Sequence, residues 1–167
     1  MHTAASAVCI KLGRTMKIRA YTNEDWLRVC AIHDVARKDE LAAAHLEAAF
    51  LTLEQTAENE GFHEYEIRVA EIEGTVVGFV AFTQDELSWL YVDPLFYGEG
   101  VGTALINEAL SQAGPSLSAE VLVGNEAAIA VYRKAGFLEV GRASGQMPGN
   151  EQFTVEVVEL RHPGVAS

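Results

Sequence analysis

Three alternating glycines, Gly98, Gly100 and Gly102, stand where a predicted loop becomes a predicted helix. Glycine adopts positive φ without a Cβ penalty and lets the backbone approach a ligand closely. The start of a helix has unpaired backbone N–H groups and a partial positive charge, which together bind anions. The spacing therefore indicates a site for a phosphate-bearing ligand. A glycine-rich turn that binds nothing is the alternative that the loop alone leaves open.

Two common phosphate-binding folds fit this loop poorly. A P-loop is excluded, because neither Gly-Lys-Ser nor Gly-Lys-Thr follows the glycines. A dinucleotide-binding fold needs G-x-G-x-x-G directly after a strand, whereas here the spacing is G-x-G-x-G and residues 93–97 intervene. Glu120 lies 20 residues beyond Gly100, but it falls inside a predicted strand instead of at its carboxyl end.

Composition and charge narrow the class of protein. The chain has 167 residues and is 49% hydrophobic, which suits a single domain with one full core. Its net charge of −12 argues against DNA or RNA as the main partner. The same field favours a cationic substrate such as an amine.

Cysteine usage and hydropathy predict a cytoplasmic protein with no membrane partner. Cys9 and Cys30 form no CxxC motif and no Cys/His cluster, so neither a disulfide framework nor a metal site is expected. The longest apolar run, residues 76–82, is far too short to span a bilayer. Residues 1–15 lack the order of a signal peptide, and we expect them to be a loose extension of a single domain over residues 16–167.

Hydrophobic periodicity predicts the element order β-α-α-β-β-β-α-β-α-β-β. The strand, glycine loop, helix and strand at its centre should form a right-handed parallel crossover within a mostly antiparallel sheet. Helices are predicted to begin after the cluster at residues 22–25, to span 39–59, to run from the glycine loop to Gly114-Pro115, and to span 126–135. Strands are predicted at 17–21, 65–73, 75–83, 87–92, 117–123, 137–142 and 153–160.

A second motif follows one crossover after the glycine loop. Asn125 and Tyr132 lie seven residues apart, close to two helical turns, so they share one face of a helix. The segments VDPLFYGEGVGTAL and NEAAIAVYRKAGF together resemble the GNAT superfamily of N-acetyltransferases. In that family the pyrophosphate loop has the pattern [QR]-x-x-G-x-[GA]. The pattern N-x-x-A-x-x-x-Y-x-x-x-G-F follows one crossover later. The specific match covers residues 87–140.

The resemblance implies both a fold and a cofactor. The fold would be α/β (α+β), with a mixed, mostly antiparallel sheet of about seven strands, four flanking helices and a splayed fourth and fifth strand. Acetyl-CoA would lie in that opening, with its pantetheine arm along the fourth strand near Tyr91 and Val92 and with Asn125 bonding the arm or a water. The pyrophosphate would be held at the glycine loop, by Tyr97, Gly98, Glu99, Gly100, Val101, Gly102 and Thr103.

The family mechanism implies roles for two further side chains. A substrate amine attacks the thioester directly while a backbone amide polarises the carbonyl. Tyr132 occupies the position of the general acid, and its phenol can protonate the departing thiolate only when it lies close to the sulfur. The ribosomal-protein alanine acetyltransferases of this superfamily carry a glutamate at the spacing of Glu120, five residues before Asn125, which implies that Glu120 acts as the base or holds a water. A structural ion pair is the alternative for Glu120, and Glu86 is the second candidate base.

Two departures from the family pattern bear on cofactor binding. Tyr97 stands where the family prefers Gln or Arg, and Glu99 adds a negative charge beside the phosphate site. Neither removes the backbone amides, so we expect the main chain to contribute most of the binding.

The expected function is transfer of an acetyl group to a primary amine, of a small molecule or a protein N-terminus, in a metal-free ternary complex. The alternatives are a catalytically degenerate CoA-binding regulatory module and a nicotinamide-binding domain. By resemblance the acceptor pocket would lie around Trp26, His33, His45 and the loop at 144–152, although both histidines fit packed or surface roles better. A homodimer through the sheet or the C-terminal strands is also expected.

Overall fold

The computed structural model describes residues 6–9, for the main chain, and residues 14–114 and 116–164. The helices are α1 (Trp26–Ala43), α2 (Leu53–Thr56), α3 (Val101–Gln112) and α4 (Glu126–Lys134). The strands are β1 (Ser6–Cys9), β2 (Thr15–Ala20), β3 (Glu66–Ile72), β4 (Thr75–Phe82), β5 (Glu86–Val92), β6 (Leu117–Leu122), β7 (Leu138–Met147) and β8 (Asn150–His162).

One sheet joins all the described strands in the order β1-β2-β3-β4-β5-β6-β8-β7. Neighbouring strands are antiparallel except β5 and β6, which are parallel and are connected through α3. In the described part of the chain, β5 and β6 pair only at Glu86 with Ser118 and at Leu87 with Ala119. They separate beyond these residues, so the predicted splay of the central strands is confirmed.

The two faces of the sheet are covered by different helices. α3 and α4 pack on one face over a cluster that includes Leu105 and Ile106, both fully buried. α1 covers the other face of the central strands with Val29 and Ile32. The β3–β4 turn forms at Glu73-Gly74, as predicted, because both residues adopt positive φ, 52° and 78°.

The helix predicted over residues 39–59 is wrong. α1 continues to Ala43, and the chain then breaks at His45, which has a positive φ of 59°. A single 3₁₀ turn follows at Glu47–Ala49, and extended backbone at Phe50 separates it from α2. Thr52 starts the short α2, since its hydroxyl accepts from the Gln55 amide at 3.2 Å while the Gln55 side chain accepts from the Thr52 amide at 2.8 Å.

The N-terminal segment contributes a strand where a loose extension was expected. Ser6–Cys9 pairs antiparallel with β2, and β2 itself begins at Thr15. This pairing satisfies backbone groups that β2 would otherwise expose at the edge of the sheet. The seven predicted strands are all present as β2–β8, and β1 adds an eighth, while residues 1–5 and 10–13 lie outside the described part.

The C-terminal hairpin is longer than predicted. The segment expected to be a loop at 144–152 belongs mostly to β7 and β8, which meet through a tight turn at Pro148-Gly149. Gly149 has a φ of 75°, which permits so short a connection. Within the described residues, no helix is long and apolar enough to cross a membrane.

Candidate active site

The separation of β5 from β6 opens a cavity of about 390 Å³. The strands β5 and β6 and the helix α4, together with α1 and the C-terminal hairpin, supply its wall. They contribute Arg37 and Glu40 from α1, Leu90 and Tyr91 from β5, Glu120 from β6, Ala128 and Tyr132 from α4, and residues 143–148 from the hairpin. The sequence motifs at β5, β6 and α4 therefore meet at one place.

The glycine loop, which joins β5 to α3, has the geometry of an anion site. Gly98 and Gly100 adopt positive φ, 77° and 86°, and open space surrounds the positions where their Cβ atoms would stand. Gly100 immediately precedes α3. In the described part of the chain, the amides of residues 98–103 donate to no backbone or side-chain acceptor. The loop thus presents a row of free N–H groups at a helix start.

Both side chains that depart from the family pattern have partners. The Tyr97 hydroxyl donates to Asp39 Oδ2 at 3.3 Å, and burial, helped by the Asp39 charge, raises the pKa of Tyr97 to about 12. Glu99 Oε1 lies 2.6 Å from Arg14 Nη2. The negative charge that Glu99 adds beside the loop is therefore paired with the positive charge of Arg14.

Tyr132 is buried in α4 and its side chain lines the cavity. Its ring packs edge-on against Phe137, with the centroids 5.1 Å apart. Burial raises the pKa of its phenol, and the charge of Glu40 acts in the same direction. Among the described residues the hydroxyl has no hydrogen-bond partner. Tyr132 therefore holds its proton at neutral pH, as a general acid must.

Glu120 lines the same cavity and is exposed to solvent. Its strand alternates as expected, since Ala119 and Val121 pack in the cluster beneath α3 and α4 and Leu122 packs in another cluster, with Leu41. Glu120 forms no ion pair with any residue that the structure describes. A solvated carboxylate in the wall can accept a proton, directly or through water.

Glu86, the second candidate base, is placed differently. It stands at the closed end of the opening, where β5 and β6 still pair, and the Tyr65 hydroxyl donates a hydrogen bond to it. Glu86 lines a second cavity of about 440 Å³ and is not in the described wall around Tyr132.

The remaining predicted cofactor residues differ in what they offer. The side chain of Tyr91 packs toward α1, and that of Val92 packs toward α3 and α4. The backbone N–H and C=O groups of β5 therefore face the opening between β5 and β6. Asn125 is absent from the described wall of the cavity, and its Oδ1 accepts from the Ala128 amide at 3.4 Å. The structure thus shows Asn125 as the cap of α4, and its contact with a cofactor stays a prediction.

An ion pair on α1 was missed by the sequence analysis. Arg37 pairs with Glu40, whose Oε1 also accepts from the Tyr91 hydroxyl at 3.2 Å, and Arg37 reaches Met147 Sδ at 3.8 Å. The i,i+3 spacing of the two charges was visible in the sequence. The predicted helix boundary at residue 39 separates the two residues, whereas α1 contains both.

His33 is the one predicted acceptor-pocket histidine that reaches a cavity. It is 4% exposed, lines the second cavity, and packs edge-on against Tyr91 with the centroids 4.8 Å apart. Burial lowers the pKa of His33, although Asp34, 2.9 Å from its Nδ1, opposes this. Neither Trp26 nor His45 belongs to the described walls of the two cavities, since Trp26 packs on Phe62 and His45 is a surface residue.

A model of the acetyltransferase (GNAT) family matches residues 22–137. The chain belongs to this family. The matched segment contains the glycine loop, Glu120, Asn125 and Tyr132, whereas residues 143–148 of the cavity wall lie beyond it.

Two curated proteins with printed activities are similar to part of the chain. It is 40% identical over 67 residues to the peptidyl-lysine N-acetyltransferase YjaB of Escherichia coli, a match that covers 40% of this chain and 45% of YjaB. It is 33% identical over 93 residues to the N-alpha-acetyltransferase RimI of Mycobacterium tuberculosis, covering 49% and 59% of the two chains. The chain thus matches about half the length of these curated relatives.

The fold comparison spans more of the chain. The solution structure of apo YjaB from Escherichia coli superposes with a TM-score of 0.65 and 29% identity, covering 90% of this chain and 99% of YjaB. The structure of yncA from Salmonella typhimurium with acetyl-CoA gives a TM-score of 0.64 at 19% identity, covering 91% and 96%, which shows a shared fold.

Proposed function

We propose that this protein is an acetyl-CoA-dependent N-acetyltransferase that transfers the acetyl group to a primary amine by direct attack in a ternary complex. One observation carries the proposal. Tyr132, whose phenol pKa is raised by burial, and the solvent-exposed Glu120 line the same cavity where β5 leaves β6, and the free amides of residues 98–103 lie between the end of β5 and the start of α3. These are the proton donor, the proton acceptor and the anion site that acyl transfer from a CoA thioester requires.

The residues present fit acetyl-CoA, which supplies an activated thioester when bound. The amides of residues 98–103 would bind its pyrophosphate, and the main chain of β5 near Tyr91 and Val92 would orient its extended arm. Tyr132 would give its hydroxyl proton to the sulfur, and Glu120 would take a proton from the attacking amine. Asn125 fixes the start of α4 and hence the position of Tyr132 two turns later.

The charges around the two cavities favour a cationic acceptor. Glu40 and Glu120 line the first cavity, and Glu60 and Glu86 line the second. Arg37 lines both, but its charge is matched by Glu40. An amine that arrives protonated is attracted by this excess of carboxylates.

The acceptor itself is proposed as a lysine side chain, a protein N-terminus or a small-molecule amine. YjaB is named for peptidyl-lysine and RimI for N-alpha acetylation, and both groups are primary amines. The cytoplasmic location also stays a proposal. For the expected homodimer the hairpin offers a surface, because Leu138 and Val140 on the outer strand β7 are 61% and 58% exposed.

Thiol release from acetyl-CoA with a panel of amines tests the function. We expect release that depends on the amine, with an acetylated product of the corresponding mass. Tight CoA binding without turnover on any amine would favour a degenerate CoA-binding module. Thermal stabilisation by NAD and not by CoA would contradict the cofactor assignment altogether.

A further inference from the structure

Arg14 reaches the glycine loop from the other end of the sequence. It directly precedes β2, and its Nη2 lies 2.6 Å from Glu99 Oε1, 85 residues away. Its guanidinium carbon also lies 5.3 Å from the centre of the Phe96 ring. The side chains of Arg14 and Glu99 are 27% and 16% exposed, so this contact is partly sheltered from water.

A negative charge at Glu99 would weaken the binding of an anion at the glycine loop. Glu99 lies between Gly98 and Gly100, whose backbone conformation exposes the row of free amides. A carboxylate a few ångströms from a pyrophosphate raises the energy of the bound anion, and more so where water is partly excluded. The guanidinium of Arg14 cancels this charge, and its contact with Phe96 restricts where the pair can lie.

No other cation that the structure describes is paired with Glu99. Of the other carboxylates around the loop, Asp93 pairs with Arg28 Nη2 at 2.6 Å, and Asp39 accepts a hydrogen bond from the neutral hydroxyl of Tyr97. Loss of Arg14 would therefore leave the negative charge of Glu99 unmatched at the phosphate site.

We propose that Arg14 is a positioning residue for the cofactor. It holds the Glu99 carboxylate in an ion pair, away from the pyrophosphate, and so sets the affinity of the loop for an anionic ligand. This inference rests on the proposed function, because it takes the loop to be the pyrophosphate site of CoA. Arg14, which is far from both motifs in the sequence, would then belong to the cofactor site through its contact with Glu99.

Steady-state kinetics with acetyl-CoA and with acetyl-pantetheine, which lacks the pyrophosphate, test the role of Arg14. Arg14→Gln should raise the KM for acetyl-CoA about tenfold and change kcat less than about twofold, since the loss is one partly sheltered charge. The variant should not alter the KM for acetyl-pantetheine. Arg14→Lys should restore most of the affinity, and Arg14→Gln/Glu99→Gln should bind nearly as wild type. Arg142→Gln, which removes an exposed cation paired with Glu139, is the charge-matched control.

An equal effect of Arg14→Gln on both thioesters would overturn the proposal, and so would a double variant as weak as the single one. Either result would assign Arg14 to packing of the N-terminal segment. A wild-type protein that neither binds CoA nor releases thiol would instead contradict the proposed function. The two failures are distinguishable because the first requires a working wild-type enzyme.

Discussion

The Tyr91 hydroxyl donates to Glu40 Oε1 at 3.2 Å and so joins β5 to α1 where β5 has lost β6 as a neighbour. The same oxygen of Glu40 also pairs with Arg37. Burial raises the pKa of Tyr132 on α4, and the charge of Glu40 acts in the same direction. The hydrogen bond between Tyr91 and Glu40 therefore fixes a charge of α1 in the cavity that Tyr132 of α4 also lines.

Removal of the Tyr132 hydroxyl should impair chemistry and leave cofactor binding intact. Tyr132→Phe is expected to lower kcat by about 10²- to 10⁴-fold, the usual contribution of a general acid. The Kd for CoA, measured by calorimetry, should change by less than about twofold, because the ring and its packing on Phe137 remain. Tyr21→Phe is the control, since the Tyr21 hydroxyl has no partner in the described residues. Weaker CoA binding at unchanged kcat would assign Tyr132 to packing.

The two candidate bases can be separated by matched substitutions. Glu120→Gln should lower kcat by about 10²-fold, because the amine then lacks its proton acceptor. Glu86→Gln should keep kcat and raise the KM for the amine, since Glu86 contributes charge to the second cavity, away from Tyr132. Initial rates over a range of amine concentrations at saturating acetyl-CoA give both constants. The reverse pattern would make Glu86 the base.

His33 should make the folded state sensitive to mild acid. Burial lowers its pKa below the ordinary 6.5, so the folded state binds a proton less readily than the unfolded chain. Above pH 6.5, His33 is neutral in both states and the free energy of unfolding is unaffected by its titration. As the pH falls below the pKa that His33 has in the unfolded chain, the unfolded chain takes up a proton first, and the free energy of unfolding decreases until the pH passes the lower pKa of the folded state. The charged and titratable groups around it, Asp34, Arg37, Glu40 and Tyr91, remain in place in His33→Gln.

Unfolding midpoints at pH 7.5 and 5.5 test this dependence. Wild type should lose more stability over this interval than His33→Gln, whose curve should be flatter. The exposed His45→Gln variant should follow wild type. Parallel curves for wild type and His33→Gln would show that His33 carries no such linkage.

Gly124 should not tolerate a side chain. It has a φ of 102° and leads from β6 into α4, and a Cβ there would stand 2.7 Å from the Ala43 carbonyl oxygen. Gly124→Ala should therefore cost about 1–3 kcal/mol of stability. Gly145→Ala should stay within about 0.5 kcal/mol, because nothing lies within 4 Å of its Cβ position. Urea unfolding of both variants gives the comparison, and equal stabilities would contradict the close approach.

The sequence predicted the centre of the molecule well, because the signals there are local. Turn residues at Glu73-Gly74, the alternation of β6 and the Asn125 cap each depend on a few neighbouring residues. The free amides of residues 98–103 follow from the glycine spacing in the same way. Because β6 carries Glu120 and α4 carries Tyr132, correct prediction of these two elements was enough to bring both side chains to one cavity.

The errors lie where long-range contacts decide the structure. An apolar stripe continued the predicted second helix through residues 46–57, but the chain breaks at His45 and restarts at Thr52. The pairing of Arg14 with Glu99 crosses 85 residues and has no local signature. The same holds for the bond from Tyr91 to Glu40, which spans 51 residues. Such contacts depend on the assembled sheet and are invisible to periodicity.

A crystal structure with CoA bound tests the central claim most directly, because it locates the sulfur and the pyrophosphate at once. We predict that the sulfur lies within about 4 Å of the Tyr132 hydroxyl. The pyrophosphate should accept hydrogen bonds from the amides of residues 98–103, with the pantetheine arm between β5 and β6. A pyrophosphate bound away from the glycine loop, or a sulfur out of reach of Tyr132, would contradict the account.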